Sequence, residues 1–375
     1  MSKSARLICA ASEANSDLYY LTRFLAPDSF CCVEIDNHKI LLMNDLEVDR
    51  ARAQAQADEV LSISDLQKQM DPKGETPPKL AGILAHFCNG RGVESLSVPA
   101  DFPLALADAL RETGLEVKAH AGPFVAGREV KNSAEIEAIE ASQRAAERAL
   151  GRALDRLRQS VTGEGDVLYW EGEVLTAEAL RDLIQGSLFE DHCSADHTIV
   201  ACGEQGVDPH NRGSGPLRAH QAIILDIFPR STQTRYWADM TRTVVRGRAG
   251  DAIKRMYEAV YAGQETAFSL IRDGASGAFI HQEVLRTLEA KGFETGLKDG
   301  RMQGFFHGTG HGVGLDIHES PRISQCDSTL RAGNVVTVEP GLYYAGVGGV
   351  RLEDLVLVTG DGCRNLTQME KLLEI

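Results

Sequence analysis

Apolar positions along the chain fall into two kinds of run. FCCVEI (30–35), KILLMN (39–44) and ESLSVPA (94–100) are short blocks that read as strands. Between them EVDRARAQAQADEV (47–60) and PADFPLALADALRETG (99–114) have helical composition. This alternation predicts a small α/β domain over residues 1–127. The turn-rich AGPFVAGREVKNS (121–133) follows, and from residue 134 Ile136, Ile139, Ala146 and Leu150 recur at helical spacing, with Asn132 or Ser133 as the N-cap. A long helix therefore opens a second domain, residues 128–375. Further helices are predicted at TAEALRDLIQGSLFE (176–190) and DAIKRMYEAVYAGQETAFSLI (251–271). Strands are predicted at HTIVAC (197–202), QAIILDIFP (221–229), RTVVRG (242–247), NVVTVEPGLYY (334–344) and VRLEDLVLVTG (350–360).

At 375 residues, of which 43% are hydrophobic, the chain is long enough for two cores. A formal charge of -15 repels phosphate backbones and anionic lipid, which argues against nucleic-acid or membrane partners. No apolar run approaches the ~20 residues that span a bilayer, and the N-terminal segment is too soon interrupted for a secretory signal, so a cytoplasmic protein is expected. The 8 cysteines are scattered without a CxxC, and most of them read as small buried hydrophobes rather than parts of a disulfide framework.

The carboxylates of the second domain change the picture. Asp226 interrupts QAIILDIF, Glu339 closes VVTVE and Glu353 lies within VRLEDLVLV, each among residues that belong in a core, and Asp239 in RYWADMTRTVV is a milder case. Alternation in the last strand would put Arg351, Glu353, Leu355 and Leu357 on one face. Singly, each acid is an ordinary strand-end residue or an ion pair with Arg235, Arg242 or Arg351. Together, and beside an imidazole, four such acids can neutralise and ligate two divalent cations, which would offset the penalty of burying them.

The imidazole comes from FFHGTGHGVGLDIHE (305–319). Gly308, Gly310, Gly312 and Gly314 oppose a helix, each costing about 1 kcal/mol relative to alanine, and permit positive φ or close backbone approach. His307 and His311 would share one face of an extended segment, and His318 would need a bend or bulge to join them. A phosphate-binding loop is a poor rival, since no GxGxxG spacing occurs and no lysine follows.

In chain order, LDIFPR, ADMTRT, GTGHGVG, VTVEPGLYY and GVRLEDLVLVT closely resemble the segments that carry the five metal ligands of the pita-bread metallopeptidases, the M24 family of methionine aminopeptidase, aminopeptidase P and prolidase. NSDLYYLTRF and NDLEVDRARA in the first domain are similar to the N-terminal domain of prolidases and aminopeptidases P, which methionine aminopeptidases typically lack. The resemblance implies an α+β, creatinase/aminopeptidase-like pita-bread catalytic domain. It also implies a hydrolase of Xaa-Pro bonds in dipeptides or short peptides, and a homodimer. By that analogy Asp239 and Glu353 bridge two metal ions, His311 and Glu339 complete one and Asp226 the other. Oxygen-rich ligation suits Mn(II), with Co(II), Fe(II) or Zn(II) also admissible. A water bridging the ions would be the nucleophile, with Glu339 carrying its proton. His210, His307 and His318 match outer catalytic positions, Arg351 a ligand-orienting or substrate-binding position, and Arg322 a group that grips a dipeptide's free carboxylate.

Two departures accompany the resemblance. The Asp226–Asp239 interval is longer than usual, with the excess in the turn-forming PRSTQTR, where a hairpin tip absorbs it. LYWEGEVLTAEALRDL (168–183) looks inserted, and Trp170 and Trp237 read as packing residues. Other readings share the fold: a metal-dependent hydrolase of a non-peptide amide, or a metal-free binding or creatinase-like protein.

Overall fold

The structure, a computed structural model, describes residues 3–74, 76 and 78–375. The chain divides into two compact units, Met1–Arg128 and Glu129–Ile375.

In the first unit β1 (Lys3–Ala10), β2 (Phe30–Ile35), β3 (His38–Met43), β4 (Glu59–Ser62), β5 (Val93–Val98) and β6 (Glu116–Ala119) form a six-stranded sheet in the order β4-β3-β2-β1-β5-β6. The pairs β1–β2 and β2–β3 are antiparallel, and β3–β4, β1–β5 and β5–β6 are parallel. Leu7, Cys31, Val33, Ile40 and Leu42 belong to one core with residues of helices Leu80–Gly90 and Leu104–Glu112. Ile8, Phe30, Cys32, Leu41 and Met43 belong to another with residues of helices Ser16–Thr22 and Val48–Gln54. A sheet buried on both faces needs apolar side chains at successive positions, which is why FCCV and ILLM read as unbroken apolar runs.

Two expectations fail here. The helix in EVDRARAQAQADEV ends at Gln54, and residues 59–62 form β4. Parallel pairing with β3, Ile40 opposite Glu59, overrides the local composition. Cys9 and Cys31, opposite each other across β1 and β2, are joined as a disulfide rather than being free thiols.

The second unit opens with helix Ser133–Gln159. The Asn132 side chain accepts from the Glu135 amide while the Glu135 carboxylate accepts from the Asn132 amide, so Asn132 is the cap and the start is a full capping box. This helix and Ala177–Glu190 share a core with β7 (Ile199–Cys202), β8 (Ala222–Ile227) and β9 (Met240–Val245), an antiparallel sheet in that order. Helices Asp251–Leu270 and Gly277–Ala290 likewise share a core with a second sheet. Its strands are β10 (Gly310–Gly312), β11 (Glu319–Ile323), β12 (Val335–Val338), β15 (Asp354–Val358) and β16 (Cys363–Asn365), in the order β11-β10-β12-β15-β16. The strands β13 (Gly341–Tyr344) and β14 (Gly348–Arg351) form a separate antiparallel pair. The segment that looks inserted makes two strands of a small sheet, Leu168–Trp170 and Glu173–Val174, followed by the start of helix Ala177–Glu190.

The apolar runs 334–344 and 350–360 were each expected to be one strand, and each is broken. β12 stops at Val338 and β13 begins at Gly341, while β14 stops at Arg351 and β15 begins at Asp354. The breaks lie opposite each other, between the pairs Val338–Asp354 and Gly341–Arg351. Pro340 has no amide hydrogen to donate. The amides on either side turn elsewhere: Glu339 donates to the Thr309 carbonyl (2.8 Å) and Glu353 to the Thr241 carbonyl (3.0 Å). Arg351 and Glu353 therefore do not share one face of one strand.

Replacing Asn132 by Ala should lower the unfolding free energy by about 1 kcal/mol, read as a lower denaturant midpoint at unchanged slope. An unchanged midpoint would mean that the box contributes nothing.

Candidate metal centre

Partner exchange at the two breaks assembles the site. Glu339 hangs from Thr309, which immediately precedes the strand β10 that carries His311, and Glu353 hangs from β9, which Asp239 immediately precedes. Asp226, in β8, lies opposite Thr241 of β9. His311 Nε2 is 3.4 Å from Glu339 Oε1 and 3.7 Å from Asp239 Oδ2. One potential ligand atom from each of Asp239, His311 and Glu353 lies within 4.8 Å of the others. Asp226, Asp239, His311 and Glu353 are all buried.

The glycines serve approach rather than unusual dihedral angles. None of Gly308, Gly310, Gly312 and Gly314 has positive φ. A Cβ on Gly310 would collide with the Thr337 carbonyl, and one on Gly312 with the Ser320 carbonyl. Only a chain without side chains at these positions can pass between its neighbours and present His311 inward. A register shift between His311 and Gly312 supplies the bulge expected for His318. His318 then packs edge-on against His311, ring centroids 4.3 Å apart.

Electrostatics show what the cluster lacks. Burial, then the charges of Glu353, Asp226 and Glu339, push the Asp239 carboxyl well above its ordinary range. Burial, followed by Glu339 and Asp226, does the same to Glu353, and burial lifts Glu339 to about 7 against the pull of Arg351. Burial and then His318 drive His311 down to about 3, so its imidazole is neutral. Its Nδ1 lies 3.1 Å from the Gly312 carbonyl, an acceptor only, so the proton is on Nδ1 and the Nε2 lone pair points at carboxylate oxygens. Lone pairs facing one another favour a cation between them. Asp226 adds a second sign: Oδ2 accepts from Arg351 Nη2 at 2.7 Å, while Oδ1 is buried without a hydrogen-bond partner. The residues fit divalent cations.

Around these groups runs a hydrogen-bonded frame. Arg351 donates from Nε to Thr241 Oγ1 (3.2 Å), from Nη1 to Tyr343 Oη (2.9 Å) and from Nη2 to Asp226. His307 Nδ1 lies 2.8 Å from the Gly308 carbonyl, so Nε2 accepts from the Tyr343 hydroxyl at 2.9 Å. Burial and then Arg351 hold His307 down to about 3. Thr241 Oγ1 donates to Glu353 Oε2 at 2.7 Å, and Thr337 Oγ1 accepts from the His311 amide at 3.1 Å. Arg322 is exposed on β11 opposite His311 in register, and its charge lowers both His311 and His318. His210 lies exposed in a turn, and burial, followed by the charge of Arg322, holds His318 below its ordinary range. Trp237 donates from Nε1 to the Leu315 carbonyl, and Trp170 lies under the Arg156 guanidinium. Thr241, Thr337 and Tyr343 escaped the sequence reading. Their hydroxyls matter through partners that only the fold supplies, although their place beside expected ligands was a usable signal.

Several buried acids beside one neutral imidazole make a metal-binding class of site, held between two sheet-and-helix halves. The comparisons make the class specific. Residues 137–360 match the model of metallopeptidase family M24, and residues 3–130 match that of the creatinase/prolidase N-terminal domain. The chain belongs to metallopeptidase family M24 and has its pita-bread catalytic fold. It is 29% identical over 286 residues to an Xaa-Pro dipeptidase of Pyrococcus horikoshii, covering 75% of each chain. It is 32% identical over 248 residues to that of Pyrococcus furiosus, covering 66% of this chain and 65% of the relative. The solved Xaa-Pro dipeptidase from Bacillus anthracis superposes with a TM-score of 0.82 at 22% identity, covering 99% of this chain and 95% of that one. Among the described residues no helix is long and apolar enough to cross a membrane.

Cations must displace the protons that burial and repulsion hold on these carboxyls. Metal affinity of the chelated protein should therefore fall as pH drops below about 7, the value for Glu339, by about tenfold per unit for each proton displaced. Calorimetry in two buffers of different ionisation enthalpy would count those protons, and flat affinity between pH 7 and 5 would contradict the assignment.

Proposed function

We propose that this metallopeptidase is an Xaa-Pro dipeptidase or aminopeptidase, cleaving the bond before proline in dipeptides or short peptides at a dinuclear centre. The carrying observation is the convergence of His311 with Asp239, Glu339 and Glu353 in a buried cluster whose carboxyls resist ionisation. The relatives named Xaa-Pro dipeptidase support the substrate class. In this reading residues 1–127 are the N-terminal domain and 128–375 the catalytic domain. Asp226, Asp239, His311, Glu339 and Glu353 would hold two divalent ions. Mn(II) suits the four oxygen donors best, ahead of Co(II), Fe(II) or Zn(II). The reading extends to a cytoplasmic homodimer, which sedimentation at micromolar concentration would test.

When bound, such ions supply Lewis acidity toward a carbonyl and lower the pKa of water. The rest falls to side chains. Glu339, 3.4 Å from His311 Nε2 within the cluster, is the proton carrier between nucleophile and leaving nitrogen. His318, beside His311, and His210 are the donors for the oxyanion. His307 has both ring nitrogens engaged and acts by fixing the Tyr343 hydroxyl. Arg351, each of whose nitrogens already donates, holds Asp226 rather than substrate. Arg322, exposed beside the site, receives the free carboxylate of a dipeptide.

The deciding assay compares Xaa-Pro dipeptides, Xaa-Pro-Yaa tripeptides and Xaa-Ala controls with added Mn(II). Equal turnover of Xaa-Ala would remove the proline assignment. Glu339→Gln should lower kcat by about 10²–10⁴-fold, the usual share of general acid–base catalysis. Arg322→Met should raise KM for dipeptides about 10–100-fold, the worth of one charged hydrogen bond, with a smaller change for tripeptides. An equal rise for both substrates would take Arg322 out of carboxylate recognition.

A further inference from the structure

Behind the glycine strand sits a buried histidine that the reaction does not use. His281 lies on helix Gly277–Ala290, is 4% exposed, and places Nδ1 2.9 Å from Thr309 Oγ1. Thr309 is fully buried and its backbone ties two elements together: its amide donates to the Ile323 carbonyl (2.7 Å), and its carbonyl accepts from the Glu339 amide (2.8 Å). Two residues on is His311. We infer that His281 is a positioning residue, which sets the heights of Glu339 and His311 through the Thr309 hydroxyl and backbone. The inference rests on the reading of those two residues as metal ligands.

The helix is a fixed reference for this purpose. Ser276 caps it by accepting from the Phe279 amide at 3.3 Å. The Gly277 amide donates to the Ser328 carbonyl at 2.8 Å, and a Cβ on Gly277 would strike the Arg322 carbonyl. The helix therefore docks against β11 without slack, and β11 is the neighbour of the glycine strand. The Phe305 ring, 5.5 Å from His281 by centroids, closes the other side. Burial holds the imidazole below its ordinary pKa, so it is a neutral polar group in a core. Carrying such a group inside is unfavourable unless its hydrogen bond is made. The bond is made to the residue that immediately precedes the strand of His311 and whose carbonyl accepts from the amide of Glu339. Groups that orient metal ligands from behind typically change affinity or activity by about 10–100-fold when removed.

The test uses full-length protein, chelated and then titrated with Co(II) alone, read by the ligand-field absorption and the dissociation constant. His281→Phe keeps a ring but loses the bond, and Thr309→Val loses it from the other side. Each should weaken Co(II) binding about 10–100-fold and alter the absorption bands, and the double variant should be no worse than either single one. His281→Asn, whose amide can reach Thr309 from the position of Nδ1, should restore the wild-type spectrum and affinity. Wild-type binding in Thr309→Val, failure of His281→Asn to restore it, or additive losses in the double variant would each overturn the inference. If His281→Phe does not fold, Thr309→Val and His281→Asn still decide the matter. Failure of the wild-type protein itself to take up Co(II) would instead sink the dinuclear reading.

Discussion

Like charges are held together in this protein at the point where two paired strands change partners. The antiparallel pair β12–β15 gives way to β13–β14 across residues 339–340 and 352–353. At that crossing Glu339 takes its backbone partner from Thr309, just before β10, and Glu353 takes its partner from Thr241 of β9. Continuous strands would have placed each acid on a sheet face, opposite an ordinary cross-strand neighbour. Broken strands bring them to one place with Asp239 and His311, away from solvent, where burial and mutual repulsion both oppose ionisation.

Much of the surrounding structure keeps that unfavourable cluster intact. Arg351 neutralises one oxygen of Asp226 and ties it to Tyr343 and Thr241, while Thr241 bonds Glu353 through its side chain and its backbone. Arg242, fully buried, donates to the carbonyls of Thr241 and Glu353 and pairs with Asp354 at 2.8 Å. A frame of this kind fixes these side chains in advance, so the binding of any cation would not consume free energy in ordering them. The glycine strand contributes by what it lacks. Its neighbours occupy the space that side chains would fill, while the His311 imidazole is held through Nδ1 by the Gly312 carbonyl and the His311 amide donates to the Thr337 hydroxyl.

Much of this was legible beforehand. Buried acids in apolar contexts, and histidines framed by glycine, are anomalies that composition alone cannot absorb; they marked Asp226, Asp239, Glu339 and Glu353 and the trio His307, His311 and His318, and the choice of His311 among the three came from the resemblance to the M24 family. The bulge needed to bring His318 to His311 followed from their spacing. The breaks in β12–β13 and β14–β15 were not legible, because VVTVEPGLYY and VRLEDLVLV carry the same β-forming residues on both sides of the interruption. Nor was the conversion of residues 59–62 into an edge strand, where pairing with β3 outweighs local preference.

The amino-acid order by itself determined which side chains could do chemistry and, apart from residues 59–62, the helix or strand character of the segments read from it. Residue type and periodicity are local properties, and they survive in any environment. Only the tertiary structure decided where the strands break, which hydroxyls and guanidinium groups hold the acids, and that His281 stands behind Thr309. Those outcomes depend on partners brought in from remote parts of the chain, such as Thr241 for Glu353 and Thr309 for Glu339. A backbone amide carries no mark of the carbonyl it will find.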